Sequence, residues 1–138
     1  MLAVRCERMN KTHPVGAHVR IESFDHCALP AEVFPLRGKI VRRLHAIGGA
    51  DNWFLVELEE PFEYQKKIGE PYRFRLSTHD RVLIRSRWRD HEVGEQEETS
   101  VFLLLLPSGL RTENDFFDPE QCDHVAWGLC FTDEQPGR

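Results

Sequence analysis

Arginine side chains are concentrated in one stretch of this chain, between residues 73 and 89. A guanidinium group is a planar fork of N–H donors that fits carboxylates and phosphates. Trp88 lies among these arginines, and its indole ring is a surface on which a base or another ring can stack. We therefore predict a binding surface formed by Arg73, Arg75, Arg81, Arg85, Arg87 and Trp88.

The acidic residues of the chain allow a different interpretation of these arginines. Residues 1–89 carry 16 Lys and Arg against 11 Asp and Glu, whereas residues 90–138 carry 2 against 12. The arginines can form a solvated sheet face that pairs with acids of the same domain, namely Glu57, Glu59, Glu95, Glu97 and Glu98. The other interpretation is two oppositely charged surfaces for two partners.

The arginine spacing also matches half of a known pattern. Arg81 with Arg85, and Arg85 with Arg89, fit the RxxxR element of the PilZ domains that bind cyclic dinucleotides. The short motif of Asp or Asn, Ser and Gly that follows in that family has no match downstream. The spacing alone therefore does not predict a cyclic-dinucleotide site.

Asp25, His26 and Cys27 place an acid, a base and a thiol side by side. A catalytic thiol needs a base that removes its proton and a group that orients this base. Adjacent residues of an extended chain rarely face each other in that way. We interpret the stretch as a loop with a partly buried cysteine, and a small enzyme that uses the loop 23–36 is the alternative.

Cys122, His124 and Cys130 are the second group of thiols and imidazole. Zinc sites have four ligands, usually in short paired spacings, and this spacing is not of that kind. We therefore predict no metal site, and we expect Cys130 to be a buried thiol. No glycine-rich phosphate loop is found, so no cofactor is predicted. The cysteines lack CxxC spacing, which favours free thiols.

The elements that must position these residues begin with a hairpin over residues 37–61. Gly48 and Gly49 favour a turn, and alternation places Phe54, Val56 and Leu58 on one face. The other face, with Trp53 and Leu55, is predicted to be half exposed. Arg42 interrupts the apolar face of the first strand, which indicates a bulge. Pro61 is predicted to end the second strand.

Further strands are predicted over residues 17–22, 72–76, 81–88, 101–106 and 125–131. Alternation places Tyr72, Phe74, Leu76, Val125, Trp127, Leu129 and Phe131 inward. Residues 62–71 are predicted to be a polar link and residues 77–80 a turn. Residues 101–106 are apolar on both faces, so this strand must be covered on two sides.

Two short helical segments are also predicted. Residues 30–33 favour a helical turn within the long connection. Asp118 followed by Pro119 is typical of a helix start, since Asp is a good N-cap and Pro suits the first helical position.

About seven strands with almost no helix predict an all-β fold, a small barrel or sandwich elaborated at its C-terminal end. We divide the chain into a loose leader over residues 1–14, a single β domain over residues 15–131 and a polar tail over residues 132–138. The opening residues have no apolar core of a secretory signal, so a cytoplasmic protein is expected.

The segments VGAHVRI, RGKIVRRL and NWFLVELEEP occur in an order that resembles the first half of SH3-like small barrels, in particular the CAP-Gly type. The resemblance covers residues 15–61 and implies a small barrel. The GKNDG-like motif that forms the peptide groove of CAP-Gly domains is absent, and residues 64–67 stand in its place. The resemblance therefore implies no binding residues.

These observations favour a non-catalytic binding or assembly module that presents the arginines to an acidic partner protein. An enzyme or ligand-binding barrel that uses the loop 23–36 is the alternative. A third hypothesis is nucleic-acid contact through the arginines and Trp88, against which the net charge of −5 argues. Trp53 and Leu55, if exposed, would offer a surface for a homo-oligomer.

Overall fold

The computed structural model describes residues 14–23, 29, 31–49, 52–71, 73–88, 92–107, 109, 112 and 115–133. These residues form seven strands: β1 (His18–Ser23), β2 (Leu36–Ala46), β3 (Trp53–Ile68), β4 (Arg73–Ser86), β5 (Glu98–Leu106), β6 (Phe116–Phe117) and β7 (Asp123–Asp133). Within these ranges, no helix has the length and apolar character needed to cross a membrane.

Two 3-10 helices, Ala31–Val33 and Pro119–Gln121, lie in the connections. Both positions agree with the sequence prediction. At the second helix the Asp118 carboxylate accepts the Glu120 backbone N–H at 3.0 Å, which is the predicted N-cap.

Six of the strands close into a barrel. The strand order is β1-β7-β5-β4-β3-β2-β6, and a further pairing of β1 with β2 closes the sheet on itself. All pairings within the barrel are antiparallel. The short strand β6 lies outside the barrel and pairs parallel with the end of β2. The predicted all-β fold, a small barrel with about seven strands, is confirmed.

The hairpin of β2 and β3 forms as predicted, and so does its bulge, because the register shifts between Ile40 and Arg42. The prediction that Pro61 ends the second strand is wrong. β3 continues to Ile68, and the pairing with β4 resumes at Phe62 after an irregular stretch over residues 58–61. Proline is tolerated there because this stretch is not paired with β4.

The barrel interior is filled mainly by aliphatic side chains, and every strand of the barrel contributes at least one buried residue. Phe54, Val56 and the half-buried Leu58 belong to it, as predicted. Its buried members are Val19, Ile21, Leu29, Leu36, Ile40, Phe54, Val56, Val82, Ile84, Val93, Val101, Leu103, Leu105 and Cys130. Burial of these side chains is the main favourable term in the stability of the barrel.

A second apolar cluster covers part of the outer surface of the barrel. It consists of Leu44, Ala46, Leu55, Leu83, Leu104, Leu106, Phe117 and Cys122. The prediction that residues 101–106 are covered on two sides is therefore confirmed for Leu103 to Leu106, which alternate between the two clusters. Leu55 is only 4% exposed and Trp53 packs edge-on against Phe117 at 5.7 Å, so this part of the predicted half-exposed face is covered within the chain. Glu57 and Glu59, which the sequence assigned to the same face, are exposed.

The first half of β4 differs from the prediction. Residues 73–79 pair with residues 62–68 of β3, so most of the predicted polar link over residues 62–71 and the whole predicted turn at 77–80 are strand. Phe74 and Leu76 are 66% and 60% exposed rather than inward. The reason is that this part of the hairpin extends beyond the ladder between β4 and β5, which begins at Arg81.

The direction of side chains in β7 also differs from the prediction. Cys130 is fully buried in the interior, whereas Trp127, Leu129 and Phe131 are half-buried. Phe102 lies opposite Trp127 and Leu104 lies opposite His124, so β7 has one extra residue between these pairs. This bulge reverses the inward and outward alternation that the sequence predicted from Val125 onward.

Several predictions lie outside the described residues. They are the leader except Pro14, the residues Phe24 to Ala28 with His26 and Cys27, Tyr72, Arg89 and the last five residues of the tail. Thr132 and Asp133, assigned to the tail from the sequence, are paired with Val19 and His18 of β1.

Gly38 allows β2 to approach β3 closely. An added Cβ there would collide with the carbonyl oxygen of Glu57, a backbone atom that cannot move alone. We therefore expect Gly38→Ala to lower the free energy of unfolding by about 1–3 kcal/mol, measured by urea denaturation. Gly49→Ala is the matched control, since its Cβ meets only the Ala46 Cβ at 3.4 Å. Equal losses in the two variants would contradict this account.

Substitutions at Phe117 and Phe116 test how much the outer cluster contributes to stability. Phe117 is 2% exposed within that cluster, whereas its neighbour Phe116 is 50% exposed. Phe117→Ala should cost about 3–5 kcal/mol of stability and change the fluorescence of Trp53, whose ring it contacts. Phe116→Ala should cost less than about 1 kcal/mol. If thermal and urea unfolding show the same loss for both, the covering role of residues 116–117 is wrong.

Candidate binding face

The predicted arginine surface is divided between two sides of the sheet. Phe62 and Tyr64 pack against the interior cluster and lie opposite His79 and Ser77, so Arg73 and Arg75 share that side by alternation.

Further along β4 the alternation is reversed. Val82 and Ile84 fill the interior, which places Arg81, Arg85 and Arg87 on the outer side. The change occurs at Asp80, where the register between β3 and β4 shifts.

Distance separates the two groups as well. Arg73 and Arg87 are fourteen residues apart near the two ends of β4, which is about 45 Å of extended chain. No single compact partner surface contacts both, so the six predicted residues form two separate regions. Arg73 and Arg75 are exposed near the tip of the hairpin, and Arg87 and Trp88 lie at the opposite end of the strand.

Arg81 and Arg85 are half-buried and engaged with the rest of the chain. Arg81 Nε lies 3.7 Å from Asp80 Oδ1, and Arg81 is the register partner of Glu57. This agrees with the interpretation of a paired sheet face for this part of the predicted surface. Arg85 lies opposite Phe102 of β5.

Arg87 is held differently, by aromatic rings. Its Cζ atom lies 3.1 Å from the centroid of the Trp127 ring and 5.2 Å from that of Trp88. Its backbone N–H donates to the Ser100 carbonyl at 2.9 Å. Among the described residues, no carboxylate lies within ion-pair distance of this guanidinium group.

Trp88 continues this region past the end of β4. Ser86 Oγ donates to the Trp88 carbonyl and accepts the Trp88 backbone N–H, both at 3.1 Å. These two bonds fix the backbone of Trp88 while its side chain stays 55% exposed. The indole is therefore presented to solvent from an ordered position.

Phe102 and Trp127 complete the region, which we name the aromatic–arginine face: Arg87, Trp88, Phe102 and Trp127. Phe102 is 38% exposed and is the register partner of Trp127. The sequence did not identify Phe102 or Trp127 as site residues. The alternation along β7 placed Trp127 inward, and only the bulge brings it to the outside.

The same outer surface continues across β7 to β1. Arg20 Cζ lies 4.4 Å from the centroid of Phe131, and Arg20 Nε contacts Glu22 Oε2 at 2.8 Å. Glu98 is the register partner of Phe131. This end of the surface therefore carries charges of both signs, in contrast to Arg87.

Residues that suggested chemistry from the sequence do not form a reactive centre in the described part of the chain. Cys122 is buried, and burial, followed by the nearby Asp123 and Asp118, raises the pKa of its thiol to about 11. A thiol with that pKa is almost wholly protonated at neutral pH and is a poor nucleophile. Cys130 is a fully buried thiol that lies in no disulfide among the described residues.

A buried polar network closes one end of the barrel. His79 is 1% exposed, and its Nδ1 donates to the Leu106 carbonyl at 2.9 Å. Its Nε2 forms a hydrogen bond with the Ser77 hydroxyl at 2.7 Å. The rings of Phe62 and Tyr64 lie 5.6 and 5.8 Å from the imidazole. Both nitrogens are satisfied and the ring is covered, so this network stabilises the barrel end.

An acidic groove of about 640 Å3 lies beside the irregular stretch of β3. It is lined by Glu32, Val33, Pro35, Leu36, Arg37, Glu59, Glu60, Pro61, Phe62 and Glu63. Four glutamates therefore face one arginine, and the charged residues are exposed. The groove lies beside the middle of β3, at residues 59–63.

Comparison of the chain with protein-family models, with curated proteins and with solved structures found no match. The function is therefore inferred from the geometry of this chain alone.

Tyr64 provides a pH-dependent contribution to stability. The pKa of its phenol is raised to about 12, chiefly by burial. The charge of Asp123 and the 3.4 Å hydrogen bond from the phenol to that carboxylate raise it further. Between the ordinary pKa of 10.0 and about 12, the unfolded chain loses this proton before the folded chain does. Stability must therefore fall as the pH rises through this window.

Urea denaturation at pH 9 and pH 11 measures this effect. We expect the loss of stability between the two pH values to be smaller for Tyr64→Phe than for the wild type. Phe62→Leu, which changes the ring 6.4 Å from Tyr64 but removes no phenol, is the control and should lose as much stability between the two pH values as the wild type. An equal loss in the wild type and Tyr64→Phe would contradict the assignment.

Proposed function

We propose that this protein is a non-catalytic binding module that recognises an acidic segment of a partner protein at the aromatic–arginine face. Arg87 is the residue on which recognition depends, with Trp88, Phe102 and Trp127 around it. This proposal narrows the surface predicted from the sequence to one end of β4. An SH3-like relationship of the barrel and a cytoplasmic location are part of the proposal.

The stacking of Arg87 is the observation that carries the proposal. With its Cζ 3.1 Å from the centroid of the Trp127 ring and 5.2 Å from that of Trp88, the guanidinium group is held in position by two indoles. Its N–H groups lie around the edge of the plane, where they bind a carboxylate as a fork. A pre-positioned side chain loses less conformational entropy on binding, so more of the interaction energy remains as affinity.

The composition of this face supports a protein partner. Tryptophan and arginine are the residue types most enriched among those that dominate binding energy at protein interfaces. Trp88 and Phe102 are exposed apolar side chains that such a partner would cover.

Charge supports an acidic protein segment over a nucleic acid. The whole chain carries a net charge of −5, and Glu98 lies on the same outer surface, opposite Phe131. A long polyanion would meet these negative charges, whereas a short acidic segment can contact Arg87 alone.

A cytoplasmic location is supported by the state of the cysteines. Cys122 and Cys130 are buried, and neither is part of a disulfide among the described residues. Unpaired cysteines persist in the reducing conditions of the cytoplasm.

Fluorescence anisotropy with the full-length protein tests the proposal. The probe is a labelled peptide of about twelve residues that is rich in Asp and Glu and carries a central Phe. Arg87→Ala should weaken binding by roughly 30-fold, the effect of losing a dominant interface residue. Arg87→Lys should recover only part of the affinity, because Lys keeps the charge but not the planar fork.

Arg73→Ala is the matched control, since it removes the same charge from the other end of β4 and should leave the affinity unchanged. Affinity should also fall as salt is raised from 50 to 300 mM. Equal effects of Arg73→Ala and Arg87→Ala would overturn the localisation of the site. Tighter binding of a single-stranded oligonucleotide of equal charge, lost in Arg87→Ala, would replace the acidic peptide with a nucleic acid as the ligand.

A further inference from the structure

We propose that the extended hairpin of β3 and β4 is a dimerisation arm that packs face to face, in antiparallel orientation, on the same arm of a second copy of this chain. The arm comprises residues 62–68 of β3 and residues 73–79 of β4. It lies on a different part of the molecule from the aromatic–arginine face, so the two proposals are independent.

The first observation is that the arm has no neighbour in the sheet. β4 pairs with β5 only over residues 81–86, and β2 pairs with β3 only as far as Leu58. Residues 62–68 and 73–79 are therefore paired only with each other among the described residues. An isolated two-stranded hairpin is at best marginally stable in water, so packing against a partner would stabilise it.

The second observation is an apolar patch in the middle and near the tip of one arm face. Phe74 and Leu76 are 66% and 60% exposed, and their spacing of two places them on the same face. Large exposed apolar side chains in adjacent positions are typical of interaction surfaces. Thr78 lies on this face as well, where its hydroxyl contacts Glu63 Oε2 at 3.3 Å.

The order of residues along this face is self-complementary. The register pairs are Glu63 with Thr78 at the base, Gln65 with Leu76 in the middle and Lys67 with Phe74 near the tip. A two-fold axis through the middle pair brings Leu76 of both copies together. The same axis places the Lys67 position of one copy beside Glu63 of the other, twice per dimer, as a two-fold interface requires.

Charge along the whole arm follows the same order, from an acidic base to a basic tip. The acidic groove at the base of the arm is lined by Glu32, Glu59, Glu60 and Glu63 against Arg37. The tip region carries Lys66, Lys67, Arg73 and Arg75 against Glu70. Arg73 and Arg75 are exposed. In the antiparallel dimer the tip of each arm, basic overall, lies at the acidic base of the other arm, which favours this orientation over a parallel one even though Arg73 and Arg75 lie on the opposite face of the arm.

The size of the arm sets the expected affinity. Seven register pairs span about 23 Å at the usual rise per residue. Two strands of that length form a contact of about 230 Å2 per copy, taking a spacing of about 5 Å between strands. Even with the tip contacts, this is below the roughly 800 Å2 per partner of a stable complex. We therefore expect a reversible dimer with a dissociation constant in the micromolar range.

Sedimentation velocity of the full chain, from about 2 to 200 μM, measures this equilibrium. The wild type should shift from monomer to dimer across the range, and Leu76→Asn should stay monomeric. Ile47→Asn is the matched control: Ile47 is 61% exposed in the turn after β2, outside the arm. It should dimerise as the wild type does. Far-UV circular dichroism and thermal unfolding confirm that each variant is folded.

A charge exchange tests the orientation. Glu63→Lys alone and Lys67→Glu alone should each weaken dimerisation by at least tenfold, whereas the double variant should restore it to within a few-fold of the wild type. A wild type that remains monomeric at 200 μM overturns the proposal. Dimerisation of Leu76→Asn equal to that of the wild type overturns it as well, and a double variant no better than the single ones overturns the antiparallel arrangement. Peptide binding through Arg87 should be unchanged in Leu76→Asn, which separates this result from the first proposal.

Discussion

The leucine side chains of β5 must be shielded from water on both faces of the strand, and the rest of the structure depends on that requirement. Leu103 and Leu105 face the barrel interior, whereas Leu104 and Leu106 face outward and are still almost fully buried. A closed barrel covers only its own interior, so a further part of the chain has to cover the outside. The segment that contains Phe117 and Cys122 does this.

Specific polar contacts hold that covering segment in place. Arg42, at the bulge of β2, donates to the carbonyl and the hydroxyl of Thr112, and its Nε lies 3.4 Å from Asp115 Oδ1. The parallel pairing of β6 with β2 and the capped 3-10 helix at Asp118 complete the attachment. Arg42 interrupts the apolar alternation of β2, and the bulge there allows its side chain to attach the segment that covers the outer cluster.

Much of this architecture could be predicted from the sequence, and the wrong predictions share one kind of physical cause. The hairpin, the doubly buried β5 and the cap at Asp118 were predicted because each rests on a local pattern. The positions of Phe74 and Trp127 were not, because alternation carries no mark of an added residue or of where a ladder with the next strand begins. A bulge reverses every side chain beyond it. The register shift at Asp80 divided the arginines of β4, and a separate bulge in β7 brought Trp127 beside Arg87.

The limit of the outer cluster also defines where binding can occur. Phe102 and Leu104 lie two residues apart on the outer side of β5, yet Phe102 is 38% exposed and Leu104 only 3%. The covering segment ends between them, and the aromatic–arginine face begins there. A dimer joined through the arms, at the other end of β4, would leave both copies of this face uncovered. Under the two proposals together, such a dimer would bind a partner with two acidic segments more tightly than one segment alone, because the second contact becomes intramolecular.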